Sequence, residues 1–337
     1  MNARQETIVV AGAGTIGCFV GGQLVGAGRD LRFLARQRIA EELAQHGLTL
    51  TDLEGGTVCV PSGRLAVGTD PAVLALADVV LVTVKSGATR EIAHSIRQFA
   101  PAHALIVSLQ NGIDNATILQ EELPGRTVVA GMVPFNVVAL GAGRFHRATD
   151  GEIVIDAKGS ALAAALSTPH MAVATHADMR AVAWGKLLIN LNNALNALAG
   201  VPLREELADR GWRRILAACI AEALAALNAA GIRPAKLGAL PPSLLPAVLR
   251  LPDALFKLVA AAQLRIDPSA RSSMWDDLEQ RRTTEIDQLQ GAVVALATRH
   301  GLRAPFNEAV LERIKAAEKD GAGSPHIAPA AIYPAHA

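Results

Sequence analysis

Short apolar runs alternate with longer mixed stretches through the first half of the chain. The clearest runs are Ile8–Ala11, Leu31–Leu34, Val79–Val84, Leu105–Leu109 and Val128–Val133. Near-continuous apolar segments of this length read as strands covered on both faces. Helical stretches separate them from Thr7 to about Ser167, and such alternation predicts a parallel sheet with helices on each side. Between Val137 and Asp156 the pattern changes: Gly141, Gly143 and Gly151 punctuate short apolar stretches, which predicts a meander or hairpin closing this region. Beyond His176 the pattern is almost wholly helical, with helices predicted over Met179–Ala199, Gly211–Ala230, Pro252–Leu264, Ser273–His300 and Pro305–Lys319. Pro241, Pro242 and Pro246 mark one break, and Asp267-Pro268 marks another, because a residue before proline avoids the α region.

The first strand runs into Gly12-Ala13-Gly14-Thr15-Ile16-Gly17, and the residues from Cys18 to Gly28 can form a helix. Strand, G-x-G-x-x-G and helix in that order suit a dinucleotide pyrophosphate. Gly12 allows the tight turn, Gly14 lets the backbone approach the phosphates, and Gly17 lets helix and strand pack closely. The helix N-terminus then offers N–H groups and a positive dipole end. A glycine-rich turn in an ordinary α/β unit has the same composition; the position between strand and helix separates the two readings. The fold class that follows is an α/β Rossmann-type N-terminal domain, residues 1–170, plus an all-α C-terminal domain, residues 176–320. Residues 321–337, rich in Gly, Pro, Ala and His, are expected to form a disordered tail.

The end of the second strand distinguishes the dinucleotides. NAD sites place an acid about 20 residues beyond the glycines, on the ribose hydroxyl. Here Arg36-Gln37-Arg38 stands at that point, and Asp30 lies at the strand's start instead. A guanidinium suits a 2′-phosphate, so Arg36 points to NADP(H) over NAD(H). Two solvated arginines opening the next helix would read the same way locally.

Composition narrows the classes of function. The 337 residues are 51% apolar and 19% charged with a net charge of +1, an ordinary globular mix. That balance makes no electrostatic case for nucleic acid or an anionic membrane surface. Three widely spaced cysteines, Cys18, Cys59 and Cys219, form neither a metal nor a disulfide pattern and fit a reducing cytoplasm. No signal peptide is evident at the start. The longest apolar segment, Ile215 to Ile232, contains Glu222 and Asn228, which favours a core helix over a membrane span.

Four polar groups remain. Lys85 follows the third apolar run and Asn111, in Ser108-Leu109-Gln110-Asn111-Gly112, follows the fourth. Alone they read as a surface lysine and a turn former; at the ends of successive strands they read as the rim of a ligand crevice. Lys186, Asn190 and Asn193 fall at i, i+4 and i+7 of an otherwise apolar helix, hence on one face. A lysine there can act as a proton donor, or it can be exposed while the amides bond a neighbouring loop. Asp277, Arg281 and Glu285 repeat at i+4 steps, which is also the spacing of a solvated ion-pair ladder. Ser273 is the expected N-cap of their helix. No metal-binding spacing occurs.

Together these residues resemble the ketopantoate reductase (2-dehydropantoate 2-reductase) family over roughly residues 7–319. The resemblance rests on Gly12-x-Gly14-x-x-Gly17, Arg36, Val84-Lys85, Gln110-Asn111-Gly112, Trp184-x-Lys186 followed by Asn190, and Ser273-Met274 leading to Thr284-Glu285-Ile286-Asp287. It implies an active site between the two domains and NADPH-dependent reduction of a 2-oxo acid, ketopantoate, in pantothenate and coenzyme A synthesis. Arg36 would hold the 2′-phosphate, and Lys85 and Asn111 would line the cofactor and substrate cleft. Lys186 would be the general acid, paired with and oriented by Glu285, with Asp277 supporting that network. Asn190 and Ser273 would bind the substrate's polar groups.

One position departs from the family pattern. An asparagine usually stands eight residues after the lysine; here that residue is Ala194, and Asn193 is nearest. On an ideal helix i+7 lies about 20° from the lysine direction and i+8 about 80°, so Asn193 can serve instead. The proline-rich segment from Arg233 to Arg271 is also long for the family. A paralogous reductase of another 2-oxo or branched small acid fits the same residues, as does a non-catalytic NADP(H)-binding regulator. Exposed apolar faces on a helical domain would support a homodimer.

Overall fold

The apolar runs of the first half become neighbouring strands in the computed structural model, which describes residues 6–259 and 270–333. The strands are β1 (Ile8–Ala11), β2 (Leu31–Leu34), β3 (Leu48–Thr51), β4 (Thr57–Val60), β5 (Ala66–Gly68), β6 (Val79–Val82), β7 (Leu105–Ser108), β8 (Val128–Met132), β9 (Val137–Gly141), β10 (Arg144–Arg147), β11 (Ile153–Asp156) and β12 (Val173–His176). Eight form one sheet in the order β12-β11-β8-β7-β6-β1-β2-β5. Neighbours from β8 to β5 are parallel, and β11 runs antiparallel to β8. Ile8 stands beside both Leu31 and Val79, so the chain leaves β1 for one side and later returns on the other. That reversal opens a crevice at the carboxyl ends of β1 and β6.

Both faces of this sheet are buried, as the continuous apolar runs require. Ile8, Val10, Val79 and Leu81 join the core on one face; Val9, Ala11, Val80 and Val82 join the core on the other. The flanking helices are α1 (Thr15–Gly26), α2 (Gln37–His46), α3 (Thr89–Phe99), α4 (Asn115–Glu122) and α5 (Ser160–Leu166). Helix α1 is apolar on nearly every side because it touches two sheets. Its Gly21 sits against the Phe33 ring of the large sheet. A Cβ on Gly22 would lie 2.8 Å from Leu50 Cδ1 of the small one.

The small sheet, in the order β4-β3-β10-β9, was not legible in the sequence. The segment from Val137 does form an antiparallel hairpin, β9–β10, but β10 then pairs in parallel with β3, almost a hundred residues earlier. Only β11 of that segment returns to the large sheet.

The chain divides into two compact units after Met179. The second contains α6 (Met179–Asn190), α7 (Asn192–Ala199), α8 (Leu203–Ala208), α9 (Arg210–Ala229), α10 (Leu245–Leu249), α11 (Asp253–Val259), α12 (Ser273–Glu279), α13 (Gln290–Arg299) and α14 (Pro305–Asp320). The Glu222 carboxylate of α9 accepts the Phe306 and Asn307 N–H groups at 2.9 and 3.0 Å, capping the N-terminus of α14. The proline-rich segment is organised around Arg213, which is wholly buried in α9. Its guanidinium donates to the carbonyls of Leu207, Ala208, Leu249 and Leu251, reaches Asp253 Oδ1 at 2.6 Å, and stacks 4.2 Å from the Phe256 ring. The expected continuation of α11 from Ala260 to Leu264, and the Asp267-Pro268 break, lie outside the described residues.

Three expectations are corrected. The single helix Ser273–His300 is two, because α12 stops at Glu279 without glycine or proline. Arg281 takes the left-handed conformation at φ 52°, and the Arg282 N–H returns to the Asp277 carbonyl at 2.8 Å. This is the helix stop that glycine usually supplies, made here by arginine. The i+4 ladder is therefore broken: buried Asp277 pairs with Arg282 at 2.9 Å, while Arg281 is exposed. The expected disordered tail is ordered over its described part. Ser324 Oγ donates to the Ala197 carbonyl at 2.7 Å, Ile327 N–H to that of Leu198 at 3.0 Å, and Ile332 is buried. These bonds satisfy carbonyls at the end of α7. Residues 334–337 of that tail lie outside the described residues.

Candidate active site

In the sheet unit, candidate ligand groups stand at the carboxyl ends of adjacent strands. Gly12 leaves β1 at φ +110°, and a Cβ there would lie 2.6 Å from Val84 Cγ1. The Thr83 hydroxyl, just past β6, donates to the Gly12 carbonyl at 2.7 Å. Gly17 sits beneath both, with no room for a Cβ. Gly14 differs: no atom stands within 4 Å of where its Cβ would be. It heads α1, whose first turn has neither a side-chain cap nor an acidic residue. Ala13 is buried, while Thr15 and Ile16 are half-buried. This loop therefore keeps an open approach beside uncapped N–H groups, which fits a dinucleotide pyrophosphate.

Arg36 stands at the carboxyl end of β2 as the N-cap of α2. Its guanidinium is exposed and has no partner among the described residues. Arg38 instead pairs with Glu42 at 3.3 Å along the helix. The structure thus separates two arginines that sequence treated alike.

Lys85, exposed, caps a short 3₁₀ turn after β6, and Asn111 is half-buried after β7. A polar network that sequence reasoning missed joins their loops. Ser86 Oγ donates to the Asn111 carbonyl at 3.0 Å, and Gln110 Nε2 donates to the Val84 carbonyl at 3.1 Å and to Thr89 Oγ1 at 2.8 Å. Thr89 Oγ1 and Asn115 Oδ1 are 2.8 Å apart. Gln110 lies within the recognised motif, so its polarity was visible; its partners were not.

In the helical unit, Lys186 and Asn190 lie on α6, and Asn193 lies on α7 beyond a one-residue interruption at Leu191. All three are half-buried. Burial lowers the Lys186 ammonium to about 8, while the Glu285 carboxylate pulls it upward. Glu285 precedes a short 3₁₀ turn, Ile286–Gln288, rather than sitting within a long helix. The side-chain amides of Asn190 and Asn193 have no hydrogen-bond partner among the described residues. Ala194, where the family resemblance would place an amide, is wholly buried in the core.

Ser273 is not the N-cap; Ser272 is. Its hydroxyl accepts the Trp275 N–H at 3.1 Å and donates to the Asn193 carbonyl at 2.9 Å. That leaves Ser273 exposed as the first helical residue. Two adjacent serines are equivalent in sequence, and only the contact with α7 decides which one turns inward. The structure also shows a buried acid that sequence reasoning did not single out. Glu206 is pushed up to about 8 by burial, against the Asn192 amide that donates to it at 2.8 Å. Its Oε1 and the Asn192 Oδ1 both lack partners among the described residues.

The chain matches the sequence model described as "Ketopantoate reductase PanE/ApbA" over residues 8–159, and that of its C-terminal domain over residues 178–318. It is 31% identical to a 2-dehydropantoate 2-reductase from Halobacterium salinarum over 93% of this chain and 99% of that protein. A PanE/ApbA family ketopantoate reductase from Ralstonia eutropha superposes with a TM-score of 0.79 at 27% identity, covering 94% of this chain and 99% of the other. A D-mandelate dehydrogenase crystallised with NADH and anilino(oxo)acetate shares the fold, with a TM-score of 0.77 at 19% identity over 94% and 99% of the two chains. Both halves of the sequence and both units of the structure therefore agree: the chain belongs to the ketopantoate reductase family.

Proposed function

We propose that this chain is an NADP(H)-dependent reductase of 2-oxo acids, with 2-dehydropantoate as substrate and pantoate as product. The observation that carries the reading is the placement of Lys186, half-buried on the apolar helix α6, where desolvation lowers the ammonium to about 8 and the Glu285 carboxylate opposes that shift. A proton donor works best with a pKa near the operating pH. The family relatives named 2-dehydropantoate 2-reductase support the choice of substrate.

The bound dinucleotide supplies hydride to the ketone carbon. Every other role falls to the chain. Gly12, Ala13, Gly14, Thr15, Ile16 and Gly17 cradle the pyrophosphate, and Arg36 holds the 2′-phosphate. Lys85, Asn111 and Glu285 complete the cofactor contacts, with Lys85 and Asn111 also facing the substrate. Lys186 stabilises the negative charge growing on the carbonyl oxygen and gives it a proton. Asn190, Asn193 and Ser273 hold the acid's polar groups; Asn193 takes the place that Ala194 has lost to the core. The cytoplasm is the compartment this reading expects.

A second substrate class keeps one support. The D-mandelate dehydrogenase has the same fold, and its ternary structure holds NADH and anilino(oxo)acetate, an aryl-substituted carboxylate. The deciding experiment follows oxidation of NADPH and NADH by the purified protein with 2-dehydropantoate and a panel of aliphatic and aryl 2-oxo acids. A preference of at least tenfold for 2-dehydropantoate with NADPH upholds the proposal. Preference for another acid assigns a paralogous reductase. NADPH binding without turnover of any acid assigns a regulator.

A further inference from the structure

Three buried polar side chains in the helical unit bridge the segments that carry the proposed catalytic groups. Asn196 of α7 accepts the Ser272 N–H at 2.8 Å and donates to the Val201 carbonyl at 2.9 Å. Ser272 donates to the Asn193 carbonyl. Gln290, the first residue of α13, donates through Nε2 to the Leu191 carbonyl at 2.8 Å. Leu191 is the residue that interrupts α6 and α7, with Asn190 before it and Asn193 two residues beyond.

Gln290 is the most telling of the three. It is 0% exposed, and its Oε1 has no partner among the described residues. An unpaired buried acceptor is destabilising, so packing alone would favour an apolar residue of similar size. The bond spans 99 residues of sequence and ties the end of the Glu285 segment to the Lys186 helix. That segment is short and anchored along its length. Thr284 N–H is held by Glu318 Oε1 at 2.6 Å, Ile286 N–H by Thr284 Oγ1 at 3.2 Å, and Ile286 and Leu289 are buried.

We propose that Gln290 is a positioning residue: by holding the Leu191 carbonyl, its amide places the Glu285 carboxylate at the Lys186 ammonium. The inference rests on the roles proposed above for that pair. Four other acids on the packed elements hold partners of their own. Glu318 holds Thr284, Asp287 pairs with Lys315 at 2.7 Å, Asp277 pairs with Arg282, and Glu206 holds Asn192. Glu285 is the carboxylate whose charge acts on Lys186. Loosening it removes the upward pull and leaves burial unopposed.

The test reads Lys186 directly, without substrate. The pH dependence of Lys186 acylation by an amine reagent, followed by peptide mass spectrometry, gives its pKa in the folded chain. Gln290→Met keeps the volume and removes the amide. Its expected result is a lower Lys186 pKa, read as roughly a tenfold change in the protonation equilibrium. Glu285→Gln should give the same shift, and the double variant no more than either alone. An unchanged Lys186 titration in Gln290→Met, or shifts that add in the double variant, would overturn the proposal. Should Gln290→Met fail to fold, Gln290→Leu serves the same reading. Turnover assays on the same proteins keep the two ideas apart: a shifted Lys186 in a chain that reduces no 2-oxo acid retains the clamp and removes the enzyme reading.

Discussion

The two units hold their proposed ligand groups by different means. In the sheet unit, Gly12, Thr83 and Asn111 are placed by the ends of adjacent parallel strands, and the decisive quantities are backbone sterics: φ +110° at Gly12 and no space for a Cβ at Gly17. In the helical unit, Lys186, Asn193, Ser273 and Glu285 sit on separate short helices and turns. Buried side chains, Asn196, Ser272 and Gln290, lock those pieces together. A sheet carries its own register through repeated backbone hydrogen bonds. Helices satisfy their backbone internally, so their mutual placement must come from side chains. The groups of the sheet unit are thus tuned by what glycine lacks, those of the helical unit by what amides supply.

The largest expected effect breaks the helical half at its chemistry. Lys186→Ala should lower kcat by about 10²–10⁴-fold, the usual contribution of a positioned acid, while NADPH titration by fluorescence stays near the parent value. Turnover within tenfold of the parent would remove Lys186 from that role. In the parent enzyme, kcat/KM should fall as pH rises through about 8, because the donor loses its proton there.

The sheet half is broken next, and its glycines should separate folding from binding. Gly12→Ala forces a Cβ 2.6 Å from Val84 Cγ1 at a left-handed φ, so thermal unfolding should show a loss of roughly 1–3 kcal/mol. Gly14→Val meets open space and an extended-side φ of −84°, so its Tm should hold while NADPH affinity drops at least tenfold. Normal affinity in a folded Gly14→Val protein would refute the loop assignment.

Arg36→Ala sharpens the comparison further, because it removes a side chain without disturbing the sheet. A charge-assisted hydrogen bond is worth about 1.5–3 kcal/mol, so the NADPH-over-NADH preference should narrow by roughly tenfold or more. An unchanged ratio would place the 2′-phosphate elsewhere.

The last effect concerns stability in the helical unit rather than ligand binding. Glu206, raised to about 8, keeps a proton in the folded chain that the unfolded chain releases near its ordinary value of 4.5. Stability should therefore decline as pH rises between those values and stay low above 8. Glu206→Gln cannot ionise, and its amide can accept from the Asn192 Nδ2 while offering an N–H donor to the orphaned Asn192 Oδ1. Thermal unfolding from pH 5 to 9 should show the decline flattened and a higher Tm at the alkaline end. An undiminished slope would mean that Glu206 is not its source.

Much of the sheet unit was legible because its signals are local. Five of the strands of the large sheet announced themselves as apolar runs, and the glycine spacing sits within six residues. In the small sheet only the β9–β10 hairpin did; β3 and β4 did not. Thr57–Val60 is a short run whose meaning depends on β3, and β3 on β10. In the helical unit, Lys186, Asn190 and Glu285 were visible as polar residues at telling positions. The stop at Glu279 was hidden, because an arginine rather than a glycine takes the left-handed conformation.

By itself, the sequence determined the alternation of strand and helix, the dinucleotide-loop spacing, the arginine at the end of β2 and the lysine on an apolar helix. Each follows from dihedral preference, periodicity or charge within a few residues. The tertiary structure alone decided which of two serines caps α12, that Ala194 belongs to the core, that the chain after Gly321 packs against α7, and that Gln290 grips Leu191. These depend on contacts between residues tens to more than a hundred positions apart. A buried hydrogen bond of that kind leaves no period in the sequence; it exists only when packing brings donor and acceptor within about 3 Å and excludes the water that would otherwise satisfy both.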